Sequence, residues 1–91
     1  MSITVRIPTQ LRSLTSGAGE VTVEASDVRG AIDALEAAHP GMEARLLDEQ
    51  GTLRRFVNVF VADEDVRFLD GLGTPLTDGT TVSIVPAVAG G

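Results

Sequence analysis

The chain contains neither cysteine nor lysine, and His39 is its one histidine. Without cysteine there is no disulfide framework, no thiolate nucleophile and no cysteine metal site. With a single histidine, a conventional zinc site or a Ser-His-Asp triad is hard to assemble. Positive charge is scarce as well: seven arginines stand against 13 acidic residues, for a formal net charge of −6. Phosphate binding needs a clustered positive field, so no nucleic acid is expected as a partner. An acidic surface instead suits a protein with a basic docking face. The lack of lysine fits a chain that must not acylate itself, and it fits biased codon usage, which is the commoner cause. Long apolar runs are missing too, since nothing approaches the ~20 residues needed to cross a bilayer. The opening MSITVRIPT lacks the cationic start and apolar block of a signal peptide. The expectation is a cytoplasmic protein, monomeric alone, with no membrane contact.

What is present fits one small globular domain. The 91 residues leave no room for a second core, and 43% hydrophobic content is too high for disorder. Ile3, Val5 and Ile7 alternate with Thr4 and Arg6, the period of a half-buried strand that Pro8 stops. Leu11 and Leu14 lie in a connecting stretch, and residues 15–19 read as a flexible turn. Val21 and Val23 then alternate with Glu20, Thr22 and Glu24, which predicts an antiparallel hairpin with the first strand. Ser26 or Asp27 opens a helix whose Val28, Ala31, Ile32, Leu35 and Ala38 share one face, and His39-Pro40-Gly41 ends it. Met42, Leu46, Leu47 and Leu53 are expected to cover an end of the core around a turn at 49–51.

Residues 56–61, Phe-Val-Asn-Val-Phe-Val, form the strongest strand pattern. Asn58 prefers water, so Val57, Val59 and Val61 are assigned to the core. Asp63-Glu64-Asp65 reads as a solvated turn, because the glycine and distal glutamate of a calcium loop are absent. Val66-Arg67-Phe68 is expected as a short edge strand. A turn at 76–79 leads to the last strand, whose Val82 and Ile84 face inward. Hairpin, helix, strand, short strand and final strand make an α+β domain of the β-grasp type. It is a mixed four- to five-stranded sheet packed on one main helix, with the first and last strands adjacent in the middle. The domain is expected over 1–86, with a flexible tail over 87–91.

That tail, Ala87-Val88-Ala89-Gly90-Gly91, holds nothing larger than valine. Two glycines at an end cannot pack a core and are costly to order. They suit an end that threads a narrow channel and lays its carboxylate beside another reactant. A frayed terminus also produces small residues. Phe60 and Val85 are expected to form an outward apolar patch, with Pro86 and Val88 continuing it as partner docking residues. Phe56 is the weaker candidate for that patch, since residues 62–70 can cover one of the two phenylalanines. Gly71-x-Gly73 lacks the lysine and context of a phosphate loop. Arg54-Arg55 reads as a solubilising pair.

The run Leu76-x-Asp78-Gly79-x-x-Val82-x-Ile84-x-Pro86-x-x-x-Gly90-Gly91 resembles the closing signature of the ThiS/MoaD sulfur carriers, which share the ubiquitin-like fold. RFVNVFVADEDVRFLDGL with the ending VPAVAGG is closer still to members of that family that serve a cysteine synthase. The resemblance implies that Gly91 is the working residue and that Gly90 and Ala89 thread the partner's channel. An E1-like (MoeB/ThiF-type) adenylating and sulfurtransferase enzyme would use ATP to join AMP to the Gly91 carboxylate. A sulfide or persulfide donor would displace AMP and leave a thiocarboxylate. The resemblance further implies transfer to an aminoacrylate on a PLP-dependent cysteine synthase, with a metalloprotease releasing cysteine. The carrier itself is expected to bind no cofactor or metal and to be a co-substrate, not an enzyme. The same tail would serve the small subunit of molybdopterin synthase, or a carrier for thiamin or natural-product synthesis. Of other classes, a ubiquitin-like protein modifier and a non-covalent interaction domain stay open.

Overall fold

Alternation of buried and exposed residues sets the first two strands. Ile3, Val5 and Ile7 all turn inward from β1 (Ser2–Arg6) and its continuation, and Val23 does so from β2 (Glu20–Glu24). The two strands pair antiparallel, with Ile3 opposite Val23 and Arg6 opposite Glu20. The linker between them is not a simple flexible turn. Thr9–Thr15 winds into a 3-10 helix that buries Leu11, and Ser16 and Gly17 then reverse the chain with positive φ. This computed structural model describes residues 1–86; Ala87 to Gly91 lie outside the described residues.

Helix α1 (Val28–Ala38) starts where the Asp27 carboxylate accepts the Gly30 N–H at 2.7 Å, an N-cap worth about 1 kcal/mol. Val28, Ala31, Ile32 and Leu35 bury its inner stripe. Ala38, expected on that stripe, is exposed, and Ala34 packs against the core instead. Gly41, at φ 101°, then turns the chain into a short helix the sequence pattern did not reveal, α2 (Met42–Leu46). Met42, Leu46 and Leu47 are buried there, and Leu53 packs beside them, closing the end of the core as expected.

Strand β3 (Val57–Val61) buries Val57 and Val59, whereas Val61, close to the strand's end, is only partly covered. The next strand differs from expectation. Ala62 and Asp63 both adopt left-handed backbone, at φ 50° and 75°. Two consecutive positive-φ residues make the tight hairpin turn that suits strand twist. The turn returns Glu64 and Asp65 as β4, opposite Val61 and Phe60. Val66–Phe68 is therefore not the edge strand. It is a 3-10 turn capped by the Asp65 carboxylate, which accepts the Arg67 N–H at 2.8 Å.

Strand β5 (Thr81–Pro86) enters between β1 and β3, giving the order β2-β1-β5-β3-β4. It runs parallel to β1 and antiparallel to β3, so the first and last strands are adjacent as expected. Val82 and Ile84 complete the core beneath α1 and α2. Among the described residues no buried side-chain nitrogen or oxygen lacks a hydrogen-bond partner, and no helix is long and apolar enough to cross a membrane.

Candidate functional site

The central position of β5 decides where the tail leaves the domain. Pro86 is opposite Val57, Val85 opposite Asn58, and on the other side Ser83 is opposite Arg6. The last residue before the tail is thus held by a paired strand at the middle of the sheet. Five residues separate Pro86 from the end of Gly91, a reach of roughly 17 Å when extended. The expected thiocarboxylate residue Gly91, the threading residues Gly90 and Ala89, and the docking residue Val88 all lie outside the described residues.

The outer face of the sheet can be read from the registers. One row crosses all five strands as Glu20, Arg6, Ser83, Phe60 and Asp65. Phe60 is half-buried, and its diagonal neighbour on β5 is Val85, which is 44% exposed. Diagonal cross-strand neighbours remain within reach of an aromatic side chain. Phe60 and Val85 therefore share the outer face of adjacent central strands, whereas the half-buried Pro86 is paired with buried Val57 and belongs to the inner side.

Phe56 is 55% exposed, so residues 62–70 do not cover it. That segment meets β3 through polar atoms. The Arg67 guanidinium donates to the Asn58 side-chain oxygen at 2.9 Å and to the carbonyls of Arg54 and Val57 at 2.9 and 2.8 Å. This clamp fixes the entry to β3 and leaves Phe68 86% exposed, with Leu69 also outside. Neither residue was singled out in the sequence. An exposed phenylalanine after an arginine carries no pattern that separates surface from core. Of the acidic run 63–65, Asp65 caps the following turn, and no group of three or more His, Asp or Glu among the described residues is placed to hold a metal.

Residues 5–91 match the ThiS family model. The chain belongs to the ThiS family. It is 48% identical over 93 residues, spanning the whole of both chains, to the sulfur carrier protein CysO of Mycobacterium tuberculosis. Its fold superposes on a chain of the BexX/CysO complex of Amycolatopsis orientalis with a TM-score of 0.92 and 49% identity, covering 98% of this chain and 99% of that one. The small archaeal modifier protein 1 of Haloferax volcanii shares the fold at a TM-score of 0.81 and 27% identity, over 96% of this chain and 98% of its own. The fold is thus the ubiquitin-like β-grasp, and membership together with full-length likeness to CysO makes the chain a sulfur carrier, a co-substrate and not an enzyme.

Proposed function

We propose that this carrier holds its sulfur as a thiocarboxylate on Gly91 and delivers it for cysteine biosynthesis in the cytoplasm. The observation carrying this reading is the likeness to CysO along the entire length of both chains, the residues 87–91 included. The family match likewise extends to Gly91.

The chemistry follows from the carboxylate. Left alone it is a poor electrophile, because its negative charge repels nucleophiles and oxide is a poor leaving group. An E1-like enzyme of the MoeB/ThiF type activates it: a Gly91 oxygen attacks the α-phosphorus of ATP, pyrophosphate departs, and AMP becomes the leaving group. Sulfide then forms the carbon–sulfur bond as the AMP oxygen leaves. A persulfide donor instead gives an acyl disulfide first, from which a second thiol attacks the donor's inner sulfur, leaving a disulfide on the donor and releasing the thiocarboxylate. The product is an anionic, softly solvated sulfur that is nucleophilic at neutral pH, as thiolates are. It adds to an electron-poor alkene held by a PLP-dependent cysteine synthase. The acyl group then shifts from sulfur to the neighbouring amine, and a metalloprotease cleaves the resulting amide to free cysteine. The carrier's own residues supply the tether and the docking face. A rigid central strand followed by a slender end suits a nucleophile that must enter other enzymes' sites.

The test is the intact mass of the chain after incubation with cell extract, ATP and a sulfide source. The expected result is a gain equal to replacing one oxygen by one sulfur, mapped to Gly91. An unchanged mass, in extract that loads another carrier, overturns the reading. The likeness to an archaeal modifier protein favours one second reading, attachment through Gly91 to lysines of other proteins. That reading predicts Gly-Gly remnants on lysines after digestion of cell protein. Having no lysine, this chain cannot form chains on itself through lysine side chains.

The docking face makes a separate prediction. Phe60→Ala removes a half-buried ring from the outer side of the sheet, where the core on the inner side is unaffected. Binding to the activating enzyme is expected to weaken by about 2 kcal/mol, as for an aromatic anchor, with stability falling by less. Calorimetric titration and urea unfolding on the same variant check this, and equal losses would assign the ring to the fold alone.

A further inference from the structure

Beside the tail's root, at the end of the sheet where β1 and β5 both finish, the surface opens into a groove of about 570 Å³. Arg6, Pro8 and Arg12 line it together with Ser83 and Val85. It therefore continues the Phe60–Val85 surface on which docking is proposed. The two arginines differ in their surroundings. Arg6 reaches the Glu20 carboxylate at 3.6 Å. Arg12 forms no ion pair among the described residues, although the chain carries 13 acidic groups.

Arg12 is nonetheless held in place. Its Nε donates to the Ile7 carbonyl at 3.1 Å. Its guanidinium lies over Gly19, where an added Cβ would stand 3.2 Å from the guanidinium carbon and from one terminal nitrogen. The glycine thus makes room for a flat cation that the backbone of Ile7 holds at the wall of the groove. A planar guanidinium with its terminal nitrogens available is suited to a carboxylate, which it can grip through two parallel hydrogen bonds.

We propose that Arg12 is the anion anchor of the docking surface. It receives a carboxylate from an acidic segment of the activating enzyme, seated in the groove beside Val85, while Phe60 and Val85 supply the apolar contact. This rests on the reading that an E1-like enzyme loads the carrier. Geometry favours a protein carboxylate over the nucleotide as the anion. AMP is joined to Gly91, and a tail extended through a channel sets that linkage roughly 17 Å from Pro86, at whose side the groove lies. The chain's negative charge steers it to a partner that is basic overall, and one contact of reversed polarity then fixes the register of the docked pair.

The experiment is steady-state thiocarboxylate formation by the E1-like enzyme of the same cells, with MgATP and sulfide, across a series of carrier concentrations. Arg12→Ala is expected to raise KM about tenfold and to leave kcat within about twofold, with the difference shrinking at high salt. Arg12→Lys keeps the charge but not the fork and is expected to recover only part of the loss. Gly19→Ala keeps both the charge and the Arg12 side chain while crowding the guanidinium, so a smaller rise in KM at unchanged melting temperature is expected. That variant keeps the proposal testable if Arg12→Ala unfolds through loss of its bond to Ile7. An unchanged KM in both Arg12→Ala and Gly19→Ala, with the wild type loaded normally, overturns the anchor and spares the carrier reading. A wild-type chain that takes no sulfur from the enzyme overturns both.

Discussion

A chain shortened by Gly90 and Gly91 is expected to accept no sulfur and to unfold at the same temperature as the intact protein. The argument has two independent halves. Removing two residues draws the terminal carboxylate back by roughly 7 Å along an extended chain. Reaction requires the attacking and receiving atoms to lie about 3–3.5 Å apart and aligned, and misplacement by about 1 Å already costs on the order of a hundredfold in rate. Under the proposed threading, the truncated end would also carry the methyl group of Ala89 to where two bare glycines would otherwise pass. Loading should therefore fall below detection, by at least about three orders of magnitude. Stability rests elsewhere. The buried apolar side chains among the described residues run from Ile3 to Ile84, so the deletion takes none of them. Intact-mass analysis and a thermal melt on one preparation decide the matter. A truncated chain that still gains sulfur would remove Gly91 from the chemistry. One that melts well below the parent would show that the glycines pack.

This separation between a working end and a supporting domain explains which features were legible in the sequence. Strands β1, β2, β3 and β5 and helix α1 each bury one side against a common core, so burial writes its period of two or of 3.6 into the chain. The central pairing of first and last strands followed from that order of elements. Elements that obey local geometry or distant partners were not legible. Helix α2 is five residues long, too short for a period to emerge. The hairpin at 62–63 places Ala62 at positive φ, where glycine or asparagine would have announced the turn. With the hairpin unseen, the edge strand was assigned to Val66–Phe68 instead of Glu64–Asp65. Which of Phe56 and Phe60 residues 62–70 would cover was not legible either. That segment meets the entry to β3 through the Arg67 guanidinium and the carbonyls of Arg54 and Val57, a contact that no spacing in the sequence encodes.

The opposite dissection places the damage in the core. Leu35→Ala empties the inner face of α1 at a position only 1% exposed, facing the sheet. A buried leucine truncated to alanine loses its transfer free energy and leaves a cavity, for about 2–5 kcal/mol in total. Domains of this size have only about 5–15 kcal/mol to lose, and the smallest lie towards the lower end. At about 4–8 °C per kcal/mol, the melting temperature should fall by on the order of 10–30 °C. Leu35 lies on the inner side of the sheet, away from the Phe60–Val85 face, so the folded fraction of the variant should load sulfur at the parental rate. Loading measured across temperature should then follow the variant's own unfolding curve. A shift below about 1 kcal/mol would mean that α1 is not seated on the sheet through this residue. Loss of loading while the variant is still folded would mean that the helix itself contacts the activating enzyme. The two variants together assign fold and chemistry to different parts of one short chain, because each is expected to remove one and leave the other in place.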